Sequence, residues 1–305
     1  MPRDQPTKPD FSHILTPDLY REVLRLHFPW KGPANIKDAI KFYFLNQPDN
    51  TQERFGAFHF RATKPISAVR PSIPDLEEYL PDSSDPRYPE HALALVCLLD
   101  QMPRSLYRGI DTRYTYMFFD ETCRKVVKGL ISKGVYPEST EEWEKRGYTF
   151  EDTILRKLWL YTPLVHSEDL ADHVFVKTKI ESMRKEVEKF YGQRDPARDT
   201  RDKDSRDTLL MSRLLLDGLP LDGSAADLLF WLYRVLDAHM PIIKEYGRYP
   251  YRNESMGRES TPREKEHLKA THNFGAAGLT AAEAEKLRRE VEDGVWEDLS
   301  DKGPR

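Results

Sequence analysis

The stretch HMPIIKEYGRYPYRNESMGRESTPREKEHL, residues 239–268, decides how the rest of the chain is read. It joins two helices through a connection that carries its own stop and start signals. Gly247 occupies the place just past the end of the first helix, and Pro250 forbids continuation. Thr261, Pro262 and Glu264 give the second helix an N-cap, a first-turn proline and the far half of a capping box. Between these ends lie Arg248, Tyr249, Tyr251, Arg252, Asn253 and Arg258. Guanidinium, aromatic and amide groups at this density can bind a carboxylate, a phosphate or a planar ligand. The same groups can equally satisfy the carbonyls of a helix end and tie neighbouring helices together.

Working outward, the very apolar Ala225–Leu236 leads into this segment and reads as a helix central to the core. Ala92 to Leu99 is apolar without a break and lacks β-branched dominance, which predicts a buried helix stopped or kinked by Pro103. Helices are expected from Thr16-Pro17-Asp18, over 36–45, and over 115–131 closed by Gly134. Others follow from Ser139, with a capping-box signature through Glu142, and over Phe150–Tyr161, interrupted by Pro163. Ser167 would cap a further one, whose apolar residues Leu170, Val174, Met183, Val187 and Tyr191 suit a period of 3.6. A last helix spans Thr280–Leu299, capped by Thr280 and Glu283, with Val291 and Trp296 as a thin docking stripe.

Residues 47–90 read as a proline-rich, irregular insertion, with a brief extended piece at Phe58-His59-Phe60 and a short helical turn within 75–80. Residues 193–207, QRDPARDTRDKDSRD, carry almost no apolar side chain and read as a mobile linker. Residues 1–14 read as a loose arm and 273–278 as a flexible joint. Strand signals are nearly absent. The expected architecture is all-α: one helical domain over 15–271 built from antiparallel helix pairs in a solenoid-like bundle, with a helical extension over 272–305.

Across 305 residues, 39% hydrophobic and 32% charged, a net charge of −4 excludes a global basic field of the kind that announces nucleic acid, but not a local patch. Two cysteines, Cys97 and Cys123, cannot build a disulfide framework and suggest a reducing compartment. No apolar run approaches a membrane span, and the N-terminus lacks the apolar core of a secretory signal, so a cytoplasmic location is expected.

Three polar clusters follow apolar helices. The first is Asp100, Gln101, Arg104, Tyr107 and Arg108; the second is His166, Ser167, Glu168, Asp169, Asp172 and His173; the third is the opening segment, with His239 before it. Acids in the first turn of a helix are explained by its dipole alone. The functional alternative makes His166 a general acid or base beside a carboxylate, with Glu168 as second choice. Asp169 and His173 share a face at i, i+4, but the spacing matches no familiar metal motif, and no metal is expected. No nucleophile elbow, phosphate loop or dinucleotide fingerprint is present.

LLDQMPRSLYRG, YTPLVHSEDLADH and the GRYPYRN segment continuing through GRESTP to His267-Leu268 resemble the bacterial and fungal family of domain of unknown function nine hundred and twenty-four, over roughly residues 36–268. AIKFYFL is similar to its aromatic N-terminal motif, while Tyr251 stands where the family pattern has a histidine. The resemblance implies an all-helical, tetratricopeptide-like fold. Long fungal sequences of this kind are similar to arginine-containing cyclodipeptide synthases, which implies joining of arginine to a second amino acid from aminoacyl-tRNAs.

On that reading the partners are arginyl-tRNA and a second charged tRNA. No cofactor is needed, because activated esters carry their own driving force. His166 and Glu168 would be catalytic. Asp100, Gln101, Tyr107, Asp169, His239 and Asn253 would bind substrate, with the acids gripping the arginyl side chain. Arg104, Arg108, Arg248, Arg252 and Arg258 would meet tRNA phosphates or a carboxylate. The other readings are a non-catalytic helical module that binds a peptide or protein in its groove, and a small-molecule hydrolase or isomerase using the same His/carboxylate pair.

Overall fold

A computed structural model describes residues 9–45, 51–301 and 303. Among the described residues every regular element is helical, so the fold is all-α. At its centre is Phe150–Val165, in which every residue from Asp152 to Val165 is buried. A helix apolar on all sides must be enclosed by others. Here they are Tyr88–Val96 with its continuation, Asp120–Ser132, Thr140–Glu144 and Leu170–Tyr191. Leu170–Tyr191 packs in turn on Ala225–Asp237, which reaches Ile36–Phe44, while Pro17–His27 lies along Tyr88–Val96. Ala92 to Leu99 has zero exposure throughout, as its unbroken apolar run demands. Each leucine in it contributes roughly 1.5–3 kcal/mol through burial. Ala225–Asp237 belongs to the same core, with Leu228, Leu229, Phe230, Leu232 and Tyr233 buried, although Phe150–Val165 is the more fully enclosed helix.

Neither proline ends its helix. After Tyr88–Val96 the chain takes one widened turn, Cys97–Gln101, and then continues as Met102–Leu106 with Pro103 in its first turn. A turn of i→i+5 bonding absorbs the N–H that proline lacks. Pro163 sits inside Phe150–Val165. The carbonyl it cannot serve is that of Trp159, and Thr162 Oγ1 lies 2.9 Å from it.

The segment expected to be irregular is helical in its first part, as Thr51–Phe58, a widened turn at His59–Thr63 and Lys64–Ser67, while 68–87 is irregular as expected, with the expected short turn at Glu77–Tyr79. Its buried positions are Phe55, Phe58, His59, Ala62, Thr63 and Ile66, which is helical spacing. The apparent alternation at 58–60 misled because His59 is buried beside Phe58 while Phe60 is half exposed. Residues 47–50 lie outside the described residues.

The charged segment 193–207 is ordered by ion pairs rather than by apolar burial. It forms short turns, Pro196–Asp199 and Arg201–Asp204. Arg198 bonds Glu181 and Glu188, and Arg234 bonds Asp204. Buried Arg184 donates to Asp195 at 2.6 Å and to Asp237 at 2.7 Å.

At the chain ends, residues 9–14 are not loose: Phe11 is buried and its N–H donates to Tyr79 Oη at 3.1 Å. Residues 1–8 lie outside the described residues. The last helix is Ala281–Asp293, stopped by Gly294 at φ 66°, and the tail beyond it folds back. There Leu299 is buried, Ser300 O meets His59 Nε2 at 2.8 Å, and Tyr114 donates to Glu297 O, while Arg113 pairs with Glu290 on the helix itself. No helix among the described residues is long and apolar enough to cross a membrane.

Asp195 is fully buried, so removing its guanidinium strands a charge. Arg184→Met is expected to lower unfolding free energy by about 3–5 kcal/mol in urea titration. A loss near zero would mean that the charged segment is held by something else.

Candidate active site

Asp100 and Gln101 belong to the widened turn Cys97–Gln101, and the turn aims them at the C-terminal end of Phe150–Val165. Asp100 has no exposure, yet four donors surround it. His166 Nδ1 is 2.8 Å from Oδ1, Thr162 Oγ1 is 3.0 Å from Oδ2, Arg104 Nη2 is 3.4 Å from Oδ1, and Gln101 Nε2 donates to Oδ2. Burial by itself would raise this carboxyl, but His166, Arg104 and Thr162 outweigh it and hold Asp100 ionised, below the usual carboxylate range.

A carboxylate can only accept, so the proton of His166 sits on Nδ1 and the lone pair of Nε2 is left outward. Burial, reinforced by Arg104, pushes the imidazole down, and Asp100 does not fully restore it. His166 is therefore neutral near pH 7, oriented and ready to take a proton.

His239 presents a second imidazole, its ring centre 6.3 Å from that of His166. Its Nδ1 donates to Val235 O at 2.8 Å, which again leaves Nε2 as a lone pair. Burial, with the neighbouring histidines and Arg252, brings it down to about 3.

Both histidines line a pocket of about 380 Å³ together with Gln101, Arg104, Ser105 and Thr162. The opposite wall is apolar and aromatic, including Tyr43, Phe44, Phe55, Leu158, Trp159 and Leu232. That volume lies in the range of small-molecule sites.

Behind the pocket, Asp120 joins two of the clusters. Arg104 reaches it at 2.5 Å and Arg252 at 3.3 Å. The Arg252 guanidinium is buried between Tyr116 and Tyr249, 4.5 Å from each ring centre, with Tyr251 at 5.7 Å. Tyr251 packs against an arginine and against Gly275, whose φ of 81° and closeness to the Tyr251 ring leave little room for a Cβ. Tyr249 Oη donates to Val165 O at 2.6 Å, which locks the third cluster onto the second.

The remaining candidates are occupied elsewhere. Glu168 takes Arg258 in a two-pronged pair at 2.6 and 3.0 Å and the Tyr249 N–H at 2.9 Å. Burial would raise its carboxyl, but Arg258, Arg252 and Tyr249 hold it low, so it serves as a tie and makes a poor base. Asp169, not Ser167, caps Leu170–Tyr191; Ser167 Oγ accepts the Asp169 N–H, and Arg124 holds the Asp169 carboxylate at 2.6 Å. With Asp100 also committed, none of the three acids is free to grip an arginyl side chain.

Tyr107 bonds Thr63 at 2.6 Å and His59 at 3.3 Å, away from the pocket. Arg108 donates to the carbonyls of Arg104 and Tyr107, Arg248 pairs with Glu264, and Asn253 donates to Ser260. These arginines and Asn253 complete the structural side of the reading left open for them. Gly247 and the Thr261–Glu264 capping box take the positions expected of them. Among the described residues no group of three or more metal-ligating side chains occurs.

Sequence reasoning missed Asp120, Tyr116, Thr162 and the aromatic wall. Only Thr162, beside Pro163, carried a local hint.

Acid should loosen this site. His239 titrates near 6.5 when unfolded and about 3 when folded, so its stabilising effect is complete above pH 6.5 and lost as pH falls toward 3. The slope is about 1.4 kcal/mol per pH unit in that window. His239→Asn, which keeps a donor for Val235 O, should flatten the fall in melting temperature between pH 6.5 and 4.5; an unchanged slope would refute the assignment.

No curated protein and no solved structure matches this chain. The family described as "Bacterial protein of unknown function (DUF924)" matches residues 75–272, about two thirds of its length, leaving the aromatic motif at 39–45 outside the match. The site built on Asp100, Arg104, His166, His239 and Arg252 falls wholly within those residues, and the chain belongs to the DUF924 family.

Proposed function

We propose that this protein is an acyl-transfer enzyme that forms a cyclic dipeptide from aminoacyl-tRNAs, with His166 as general base and Asp100 as the group that orients it. The observation that carries this reading is the Asp100–His166 pair, whose free Nε2 belongs to a residue lining the pocket. Two successive attacks by α-amines each need a proton removed from nitrogen as the new bond forms. A neutral imidazole oriented by a buried carboxylate suits that task, because burial keeps it unprotonated and free to accept while Asp100 fixes its tautomer. The leaving ribose oxygen takes the proton back, so acid and base are one residue used twice.

The choice of arginine rests on the resemblance alone, because no acid of the second cluster is available for it. The tetratricopeptide-like stacking of helix pairs belongs to the same proposal. It is supported by the short link between Phe150–Val165 and Leu170–Tyr191 and the packing of the latter on Ala225–Asp237. A groove-binding module is less favoured, because His166 and His239 turn their unbonded nitrogens toward one shared pocket rather than along an extended groove. Hydrolysis or isomerisation of a small molecule would use the same pair.

Purified protein supplied with arginyl-tRNA and a mixture of other charged tRNAs is expected to yield an arginine diketopiperazine, read by mass spectrometry. His166→Ala and Asp100→Asn should each lower the rate by about a hundredfold or more while the far-ultraviolet spectrum is retained. Glu168→Gln should spare turnover at temperatures where the protein stays folded. No product from intact charged tRNAs removes the proposal.

A further inference from the structure

We infer that the pocket receives a ligand bearing a negative oxygen, a carboxylate on an aromatic or apolar body, with the oxygen on Arg104. This inference rests on the pocket's charge and does not require acyl transfer.

Among the described residues no aspartate or glutamate lines the pocket, and Asp100 behind it is sealed and already accepts from three neighbouring side chains besides Arg104. Among the described residues a cationic ligand would therefore meet no carboxylate, only the uncharged Nε2 atoms of His166 and His239. Arg104 does line the pocket, with its side chain 20% exposed. Its Nη2 is spent on Asp120 and Asp100, its Nε is buried without an acceptor, and its Nη1 bonds nothing among the described residues.

Further donors nearby are unpaired as well. Trp159 Nε1, Arg252 Nε and Arg252 Nη2 are buried donors with no partner. Buried donors without acceptors are costly, and a ligand oxygen is the natural complement to a guanidinium edge left open. Tyr43, Phe44 and Trp159 then offer a face for a flat, apolar body. In an acyl-transfer reaction the same guanidinium would meet the oxygen on which charge develops.

The test uses the full-length protein and three probes of one shape: phenylacetate, its uncharged amide phenylacetamide, and 2-phenylethylammonium. Binding is followed by calorimetry and by quenching of tryptophan fluorescence. Phenylacetate should bind about tenfold or more tighter than the amide, and the ammonium more weakly still. Arg104→Lys keeps a positive charge for Asp100 and Asp120 but has no second nitrogen for the ligand, so it should fold normally and lose the preference for carboxylate. Equal affinity for carboxylate and amide overturns the inference. So does tighter binding of the ammonium, no binding of any probe, or an Arg104→Lys protein that retains the preference. Product formation from charged tRNAs is read separately, so either idea can fail without the other.

Discussion

A fully charged carboxylate with no exposure to water is the constraint around which this molecule is arranged. Asp100 would not stay ionised in an apolar interior without donors on both oxygens. It draws them from its own turn, through Gln101 and Arg104, and from the far end of Phe150–Val165, through Thr162 and His166. Satisfying one buried charge therefore clamps two core helices in one relative position. The same clamp leaves an imidazole with its proton on the inner nitrogen and its lone pair outward.

The charge chain continues outward without a break. Arg104 answers Asp100 and Asp120, Asp120 answers Arg252, and Arg252 lies between the rings of Tyr116 and Tyr249. Tyr249 then returns to the carbonyl of Val165, one residue before His166. Three segments distant in the chain thus form one network, and a change in any member is felt at the imidazole. Helix irregularities are what aim it. The widened turn Cys97–Gln101 presents Asp100 and Gln101, and the one at Thr115–Phe119 presents Tyr116 to Arg252. Such turns often occur where a helix must direct a side chain at a functional site.

Much of the local structure could be read from residue order. Caps at Thr16, Ser139, Thr261 and Thr280 and the glycine stop at Gly247 follow from short-range bonds among neighbours. The unbroken run at 92–99 announced its own burial. Where the reading failed, a longer-range force had taken over. Pro103 did not break its helix because a widened turn absorbs the missing N–H, and Pro163 did not break its own because packed helices enclose it. The 193–207 segment, poor in apolar side chains, is held by ion pairs to acids and arginines on other helices.

By itself the sequence determined the all-α class, most helix ends and the three polar clusters, because these depend on side chains within a turn or two of one another. Only the tertiary structure decided which members of each cluster are tied up in ion pairs and which face the pocket. Arg258 could pair with Glu168, and Arg124 with Asp169, only once the chain had folded, and those pairings remove both acids from the list of free groups. His166 stayed available because its partner, sixty-six residues away, could meet just one of its two nitrogens. Local order writes the helices; competition among distant charges for a few buried partners assigns the roles.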